Sequence, residues 1–169
     1  MKIIEHMTSP TPVQDASFLG AYAKRGAFTD CYATTVPGAV SLPEFIEAFY
    51  TTPLFKVERW LLAKANRPPS TDRQAHQIAV GESHAFSAWK VENRSDNEIL
   101  LKAGQTRSWL SVAPVASKPG ATTLLFGSAV VPMRSGGKFG LAFHALLRFH
   151  QLYSKLLLSS AARRISNFK

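Results

Sequence analysis

At 169 residues, with 46% hydrophobic and 18% charged residues, the chain has the length and balance of one globular domain with a core of its own, which sets aside disordered and fibrous classes. A single cysteine, Cys31, excludes an intrachain disulfide, and no apolar run approaches the ~20 residues of a membrane-spanning helix. The formal charge of +9 invites polyanionic partners, but the basic residues are scattered along the chain. The expectation is therefore a solvated basic surface, in weak contact with anionic membranes at most, and no specific nucleic-acid binding.

The N-terminal residues lack the apolar core of a secretory signal, so a cytoplasmic protein is expected. Residues 1–14, with Pro10 and Pro12, read as an irregular lead-in to a single domain over 1–169. Asp15 is expected to cap a helix from Ala16 to Arg25, closed by Gly26. Thr29 to Val36 reads as a strand ended by Pro37-Gly38. Ser41-Leu42-Pro43-Glu44 has the form of a capping box, and Leu42, Phe45, Ile46, Phe49 and Tyr50 then share one helical face. Thr52-Pro53 opens a second helix that runs to Ala65, where Asn66-Arg67-Pro68-Pro69 stops it. Two tandem helices thus follow the first strand.

From Ile78 to Met133 the pattern is strand and turn. Ala85 to Asn93 alternates with Ser87, Trp89 and Val91 on one face, and Glu98 to Ala103, Thr106 to Val115 and Ala121 to Val131 follow. Connections this short require antiparallel pairing. In the first hairpin, a regular tip that pairs Asn93 with Glu98 sets Trp89 against Lys102. Joining Trp89 and Val91 to Leu101 and Ala103 needs an odd-length or bulged tip, because a one-residue slip exchanges the faces. After a joint at Arg134–Lys138, Phe139 to Ile165 reads as one continuous helix. Phe143, Leu146, Phe149, His150, Tyr153, Leu156, Leu157 and Ala161 form its apolar face, and Arg148, Gln151, Lys155 and Ser159 its wet one. Leu146, Phe149, Tyr153 and Leu157 are expected to be buried against the sheet.

Few residues point to chemistry. The histidines (His6, His76, His84, His144, His150) show no H-E-x-x-H spacing, and Ser135-Gly136-Gly137-Lys138 lacks the spacing of a phosphate loop, so no metal or other cofactor is expected. Cys31 reads as a small buried strand residue. Glu58 falls among Leu54, Phe55, Leu61 and Leu62, where a carboxylate needs a partner or a proton. It is either an edge residue that reaches water or a polar anchor. His150, one turn from Tyr153 on the apolar stripe, is either a satisfied core histidine or a polar group inside a cavity. Trp89 and Trp109 read as core or cavity wall. Arg107 shares a sheet face with Trp109. If that face is inward, Arg107 needs a carboxylate, and Glu58 is the candidate; the Glu58 carboxyl is expected within reach of Arg107, His150 or Tyr153.

A strand, two helices, an antiparallel run and a long terminal helix, in that order, resemble the helix-grip fold of the START-like (SRPBCC) superfamily. Three segments are similar to those of uncharacterised bacterial domains in that superfamily: Ala48-Phe49-Tyr50-Thr51-Thr52-Pro53-Leu54-Phe55-Lys56-Val57-Glu58-Arg59, Arg107-Ser108-Trp109-Leu110, and Phe143-His144 through Arg163-Arg164. The resemblance implies an α+β fold in which a curved antiparallel sheet wraps a long C-terminal helix. It also implies a cavity between them that binds a hydrophobic small molecule or lipid, and it brings no catalytic residue. Glu58, Trp89, Arg107, Trp109, His150 and Tyr153 are the candidate site residues. Two rivals stand beside this reading. One is an enzyme of cyclase or dehydratase type with Glu58 or His150 as general acid/base. The other is a macromolecular interaction module with a filled core.

Overall fold

The lead-in contributes a strand. Ser9–Pro10 (β1) pairs antiparallel with the middle of Phe28–Pro37 (β2), through Ser9↔Ala33 and Pro10↔Tyr32. These coordinates come from a computed structural model that describes residues 7–64, 70–131 and 141–167, with the side chains at 58, 61–64 and 141–147 outside the description. Between the two strands lies a short helix, Phe18–Lys24 (α1). Its cap is Ser17 rather than Asp15: the Ser17 hydroxyl accepts the Gly20 N–H and donates to the Gln14 carbonyl.

Three helices follow β2, where two were expected. Leu42–Tyr50 (α2) opens with the reciprocal capping box of Ser41 and Glu44. Pro53–Lys64 (α3) starts at Thr52, whose hydroxyl accepts the Phe55 N–H. Asp72–Val80 (α4) occupies a stretch that reads from sequence as loop and the start of a strand. Its signal is a second capping box, Thr71 with Gln74, and a left-handed Gly81 at φ +83° closes it. The Asn66–Pro69 stop lies outside the described residues.

The remaining strands are Ala85–Phe86 (β3), Trp89–Arg94 (β4), Glu98–Ala103 (β5), Thr106–Pro114 (β6) and Ala121–Val130 (β7). The described strands form one open antiparallel sheet in the order β1-β2-β7-β6-β5-β4-β3. The segment expected as one strand over 85–93 is broken: Phe86 pairs with Trp89, and Ser87 stands between them at φ +53°, so it does not share a strand face with Trp89. The β4–β5 hairpin is bulged, as expected, although its tip is regular, with Arg94 opposite Ile99. The irregularity falls at Glu92, between Val91 and Asn93, and it brings Val91 opposite Leu101. One extra residue inside the strand thus restores the apolar face that an unbulged register would split.

Both faces of the central strands are covered. Ile99, Leu100 and Leu101 are consecutive and all 0% exposed. One face carries Tyr32, Val36, Leu101, Leu110, Leu124 and Phe126, against α2, α4 and the terminal helix. The other carries Cys31, Leu100, Trp109 and Ala129 under Leu19 of α1. Gly127 lets α1 approach this closely: a Cβ there would lie 2.4 Å from Leu19 Cδ2 and 2.8 Å from the Asp30 carbonyl oxygen.

The terminal helix, Leu141–Asn167 (α5), is unbroken but rotated from its expected phase. Its buried positions are Ser154, Leu157, Leu158, Ala161, Ala162 and Ile165. Leu157 is inward as expected and Tyr153 half-buried, but Phe149 is 67% exposed, and Leu152 and Leu156 are exposed beside it. The side chain of Leu146 lies outside the description. Small residues settle the phase: Ser154, Ala161 and Ala162, each 0% exposed, let the helix axis come close to β2 and α2. Bulky side chains on the same line would hold it off.

Leu157→Ala and Phe149→Ala test this rotation directly. Urea unfolding should show a loss of ~2–5 kcal/mol for the first, as for a buried leucine. The second should stay within about 0.5 kcal/mol of the parent, as for an exposed position. Equal losses would put Phe149 in the core.

Candidate functional site

Alternation along β2 sends Asp30, Tyr32 and Val36 to the face that α5 covers. Asp30 pairs with Ser128 of β7 in the ladder, so their side chains stand next to each other on that face. The Ser128 hydroxyl donates to Asp30 Oδ1, and the Tyr32 hydroxyl donates to Oδ2 at 3.2 Å. From α5, His150 Nε2 lies 2.8 Å from Ser128 Oγ and 3.5 Å from Asp30 Oδ2. Ser154, one turn further on, places its Oγ 3.5 Å from the same nitrogen.

The Asp30 side chain is only 9% exposed. Burial raises its pKa, but hydrogen bonds from His150, Ser128 and Tyr32 together with the His150 charge outweigh that, and the carboxyl titrates below its ordinary range. An ionised Asp30 accepts a hydrogen bond from the Ser128 hydroxyl. Ser128 Oγ is then left to accept from His150 Nε2–H. The order carboxylate–hydroxyl–imidazole differs from that of an acyl-transfer triad, where the imidazole stands between the other two. Removing the Ser128 proton would set an alkoxide beside a carboxylate. In this order Ser128 is a hydrogen-bond donor to Asp30 and an acceptor from His150.

Next to it lies a cavity of about 200 Å³. Phe49, Tyr50, Phe55 and Trp89 form its apolar part, Phe126 belongs to its sheet side, and Ser128, His150, Tyr153 and Ser154 line its polar side. The aromatic wall is self-supporting: the Tyr50 and Phe55 rings meet edge to face at 4.8 Å, and Phe55 and Trp89 lie 5.3 Å apart.

The structure brings together Trp89, His150 and Tyr153 of the residues singled out from sequence. Arg107 borders the same space, but its guanidinium is engaged with α1: Nε donates to Tyr22 Oη at 2.9 Å and pairs with Glu92 Oε2 at 2.9 Å. Among the described side chains its carboxylate partner is Glu92, the bulged residue of β4. Tyr22 also donates to Glu92 and lies under the Arg107 cation, 5.0 Å from ring centroid to guanidinium. Trp109 does not line this cavity. It is buried on the α1 face, with Nε1 donating to Glu98 Oε2 at 2.6 Å. The Glu58 carboxyl lies outside the described side chains.

Asp30, Ser128 and Ser154 were not singled out from sequence. Their signal was available: a polar residue on the inward parity of β2 and another on that of β7, facing a helix that carries His150 four residues before Ser154. Cys31, next to Asp30 but on the other face, is buried, and burial followed by the Asp30 charge pushes its thiol pKa up to about 12. Among the described residues, no group of three His, Cys, Asp or Glu side chains is gathered that could hold a metal ion. No protein-family model matches the chain, and no curated protein matches it significantly.

A depressed carboxylate pKa stabilises the fold above the unfolded-state value, and that contribution is lost as pH falls through the lower folded value. Asp72 is depressed as well, so the informative quantity is the difference between the parent and Asp30→Asn. Denaturation midpoints measured from pH 7 downward should converge for the two proteins below about pH 4, where the parent loses its advantage. A gap that stays constant with pH would remove Asp30 from the ionised state. Thiol titration makes a second check. Native Cys31 should resist alkylation at pH 8 and react only on unfolding.

Proposed function

We propose that this domain is of helix-grip type and binds a small apolar molecule carrying one hydrogen-bonding group, in the cavity between the sheet and α5. The observation that carries the reading is the composition of that cavity: an aromatic wall facing a polar cluster whose hydrogen bonds are fixed by a buried carboxylate. Ligand sites take this form, mostly apolar with a few convergent polar groups. The strand order from β2 through β7 to β3, the helices inserted after β2 and the helix across the sheet all fit a helix-grip arrangement.

The cavity size narrows the ligand class. An apolar cavity of ~150 Å³ holds a benzene ring. About 200 Å³ therefore suits a single ring with a small substituent, or a short branched chain, rather than a whole lipid. The ring would stack among Phe55, Trp89 and Phe126, and a hydroxyl or carbonyl would meet His150 and Ser128.

Native mass spectrometry of the purified protein, together with thermal melting in a panel of substituted phenols and benzoates, tests the proposal. A phenol at about one hundred times its Kd should stabilise the fold by about 2.7 kcal/mol. Ser108→Leu, at a half-buried position that lines the cavity from the sheet, should abolish the shift while far-UV circular dichroism stays native. Ser128→Ala should weaken binding without filling the space. The reading fails if no small molecule co-purifies and no member of the panel shifts the melting temperature.

A further inference from the structure

The face that α5 turns to solvent has the composition of a lipid-contacting surface. Arg148, Phe149, Leu152, Leu156 and Arg163 fall within an arc of roughly 100°, directly opposite the buried stripe. All five are exposed, with Phe149 at 67%, Leu152 at 57% and Leu156 at 47%. An ordinary surface helix shows polar side chains on this side. Here the polar Lys155 and Ser160 sit at its margins, and Ser159 lies within it, 2.7 Å from the Thr8 hydroxyl, all three half-buried. The neighbouring α3, which packs against α5, adds Val57 at 55% and Trp60 at 57% exposure.

Charge selects the partner. The 27 residues of α5 include Arg148, Lys155, Arg163 and Arg164 and no aspartate or glutamate. Arg148 and Arg163 stand at the two ends of the apolar stripe, and the whole chain carries +9. We propose that the outer face of α5, with Val57 and Trp60 of α3, docks on an anionic lipid bilayer, lying in the interface with Phe149, Leu152 and Leu156 inserted among the acyl chains. Leucine and aromatic side chains between flanking arginines suit that depth: the apolar groups enter, and the guanidinium groups stay with the lipid phosphates. A second copy of the chain would set like charges against each other across the same face. A nucleic acid would use the arginines but leave the leucines in water. No helix among the described residues is long and apolar enough to cross a membrane, so this contact is peripheral. The inference does not depend on what the cavity binds.

Co-sedimentation with extruded vesicles tests it, comparing phosphatidylcholine alone with equal parts phosphatidylcholine and phosphatidylglycerol. The parent should bind the anionic vesicles and show little association with the neutral ones. Leu152→Glu should lower the partition coefficient roughly tenfold or more, and Arg148→Glu with Arg163→Glu should do the same at low salt. All these positions are exposed, so melting temperatures should stay near the parent's. Blue-shifted Trp60 fluorescence against a quencher in the lipid gives a second reading that does not depend on sedimentation. No binding to anionic vesicles overturns the proposal. So does binding that the uncharged Leu152→Ser leaves unchanged, the mark of charge attraction alone. A dimer in solution that Leu152→Glu dissociates would assign the face to a second copy. Retention on immobilised RNA at physiological salt that Leu152→Glu weakens would assign it to nucleic acid.

Discussion

One buried carboxylate governs the side of the sheet where the cavity lies. Asp30 stands on an inward position of β2, and a charge at such depth is tolerated only with donors around it. Ser128 supplies one from the neighbouring strand, Tyr32 another from the same strand, and His150 a third from α5. Because His150 points at Ser128 and Asp30 while the small Ser154, Ala161 and Ala162 let the helix lie close to β2, the rotation of α5 about its axis is set. That rotation sends Leu157, Leu158, Ala161 and Ala162 to the core and leaves Phe149, Leu152 and Leu156 outside. The polar end of the cavity and the apolar outer stripe are thus two results of the same constraint.

The opposite face shows how the sheet accommodates a second cover. Glu98 accepts from both the Phe18 N–H and Trp109 Nε1, so one carboxylate ties the start of α1 to the strand beneath it. Across the ladder, Lys90, Lys102 and Arg107 face one another, an unfavourable row of cations. The bulge at Glu92 answers it, since that carboxylate reaches Arg107 and Tyr22. The same irregularity keeps Val91 opposite Leu101, so a single extra residue serves the apolar face and the charged one.

Most of the architecture was legible because it rests on local chemistry. The Ser41 capping box, the Thr52-Pro53 start, the turn at Lys118–Gly120 and the alternation of β6 and β7 each follow from neighbours in sequence. The misreadings have a common origin in choices made by tertiary packing. Counting apolar residues placed the inner face of α5 near Phe149 and Tyr153, whereas close approach to the sheet selects Ser154, Ala161 and Ala162, whose small size carries little hydrophobic weight. Helix α4 was missed because its nine residues are mostly polar, and only Ala75, Ile78 and Ala79 are buried. Of the candidate site, His150, Tyr153 and Trp89 could be found as polar or aromatic residues on apolar stripes. Asp30 and Ser128 become a pair only when β2 meets β7, a pairing that no local pattern predicts.

The pairing of β2 with β7 also sets an order of events in the growing chain. Strands β3 to β7 join their neighbours through short turns and can zip sequentially, but β2 waits for the last strand, from Pro37↔Ala121 to Phe28↔Val130. Contacts so distant in sequence form late, after loop closure has been overcome. Until then β7 presents one unpaired edge along Ala121–Val130, a ten-residue stretch with no charge and no proline. Such a segment is prone to pair edge to edge with other chains. The interval between the completion of β7 and the docking of β2 is therefore when this protein is most exposed to aggregation, and refolding yield should be governed by chain concentration during that interval more than by the stability of the finished fold.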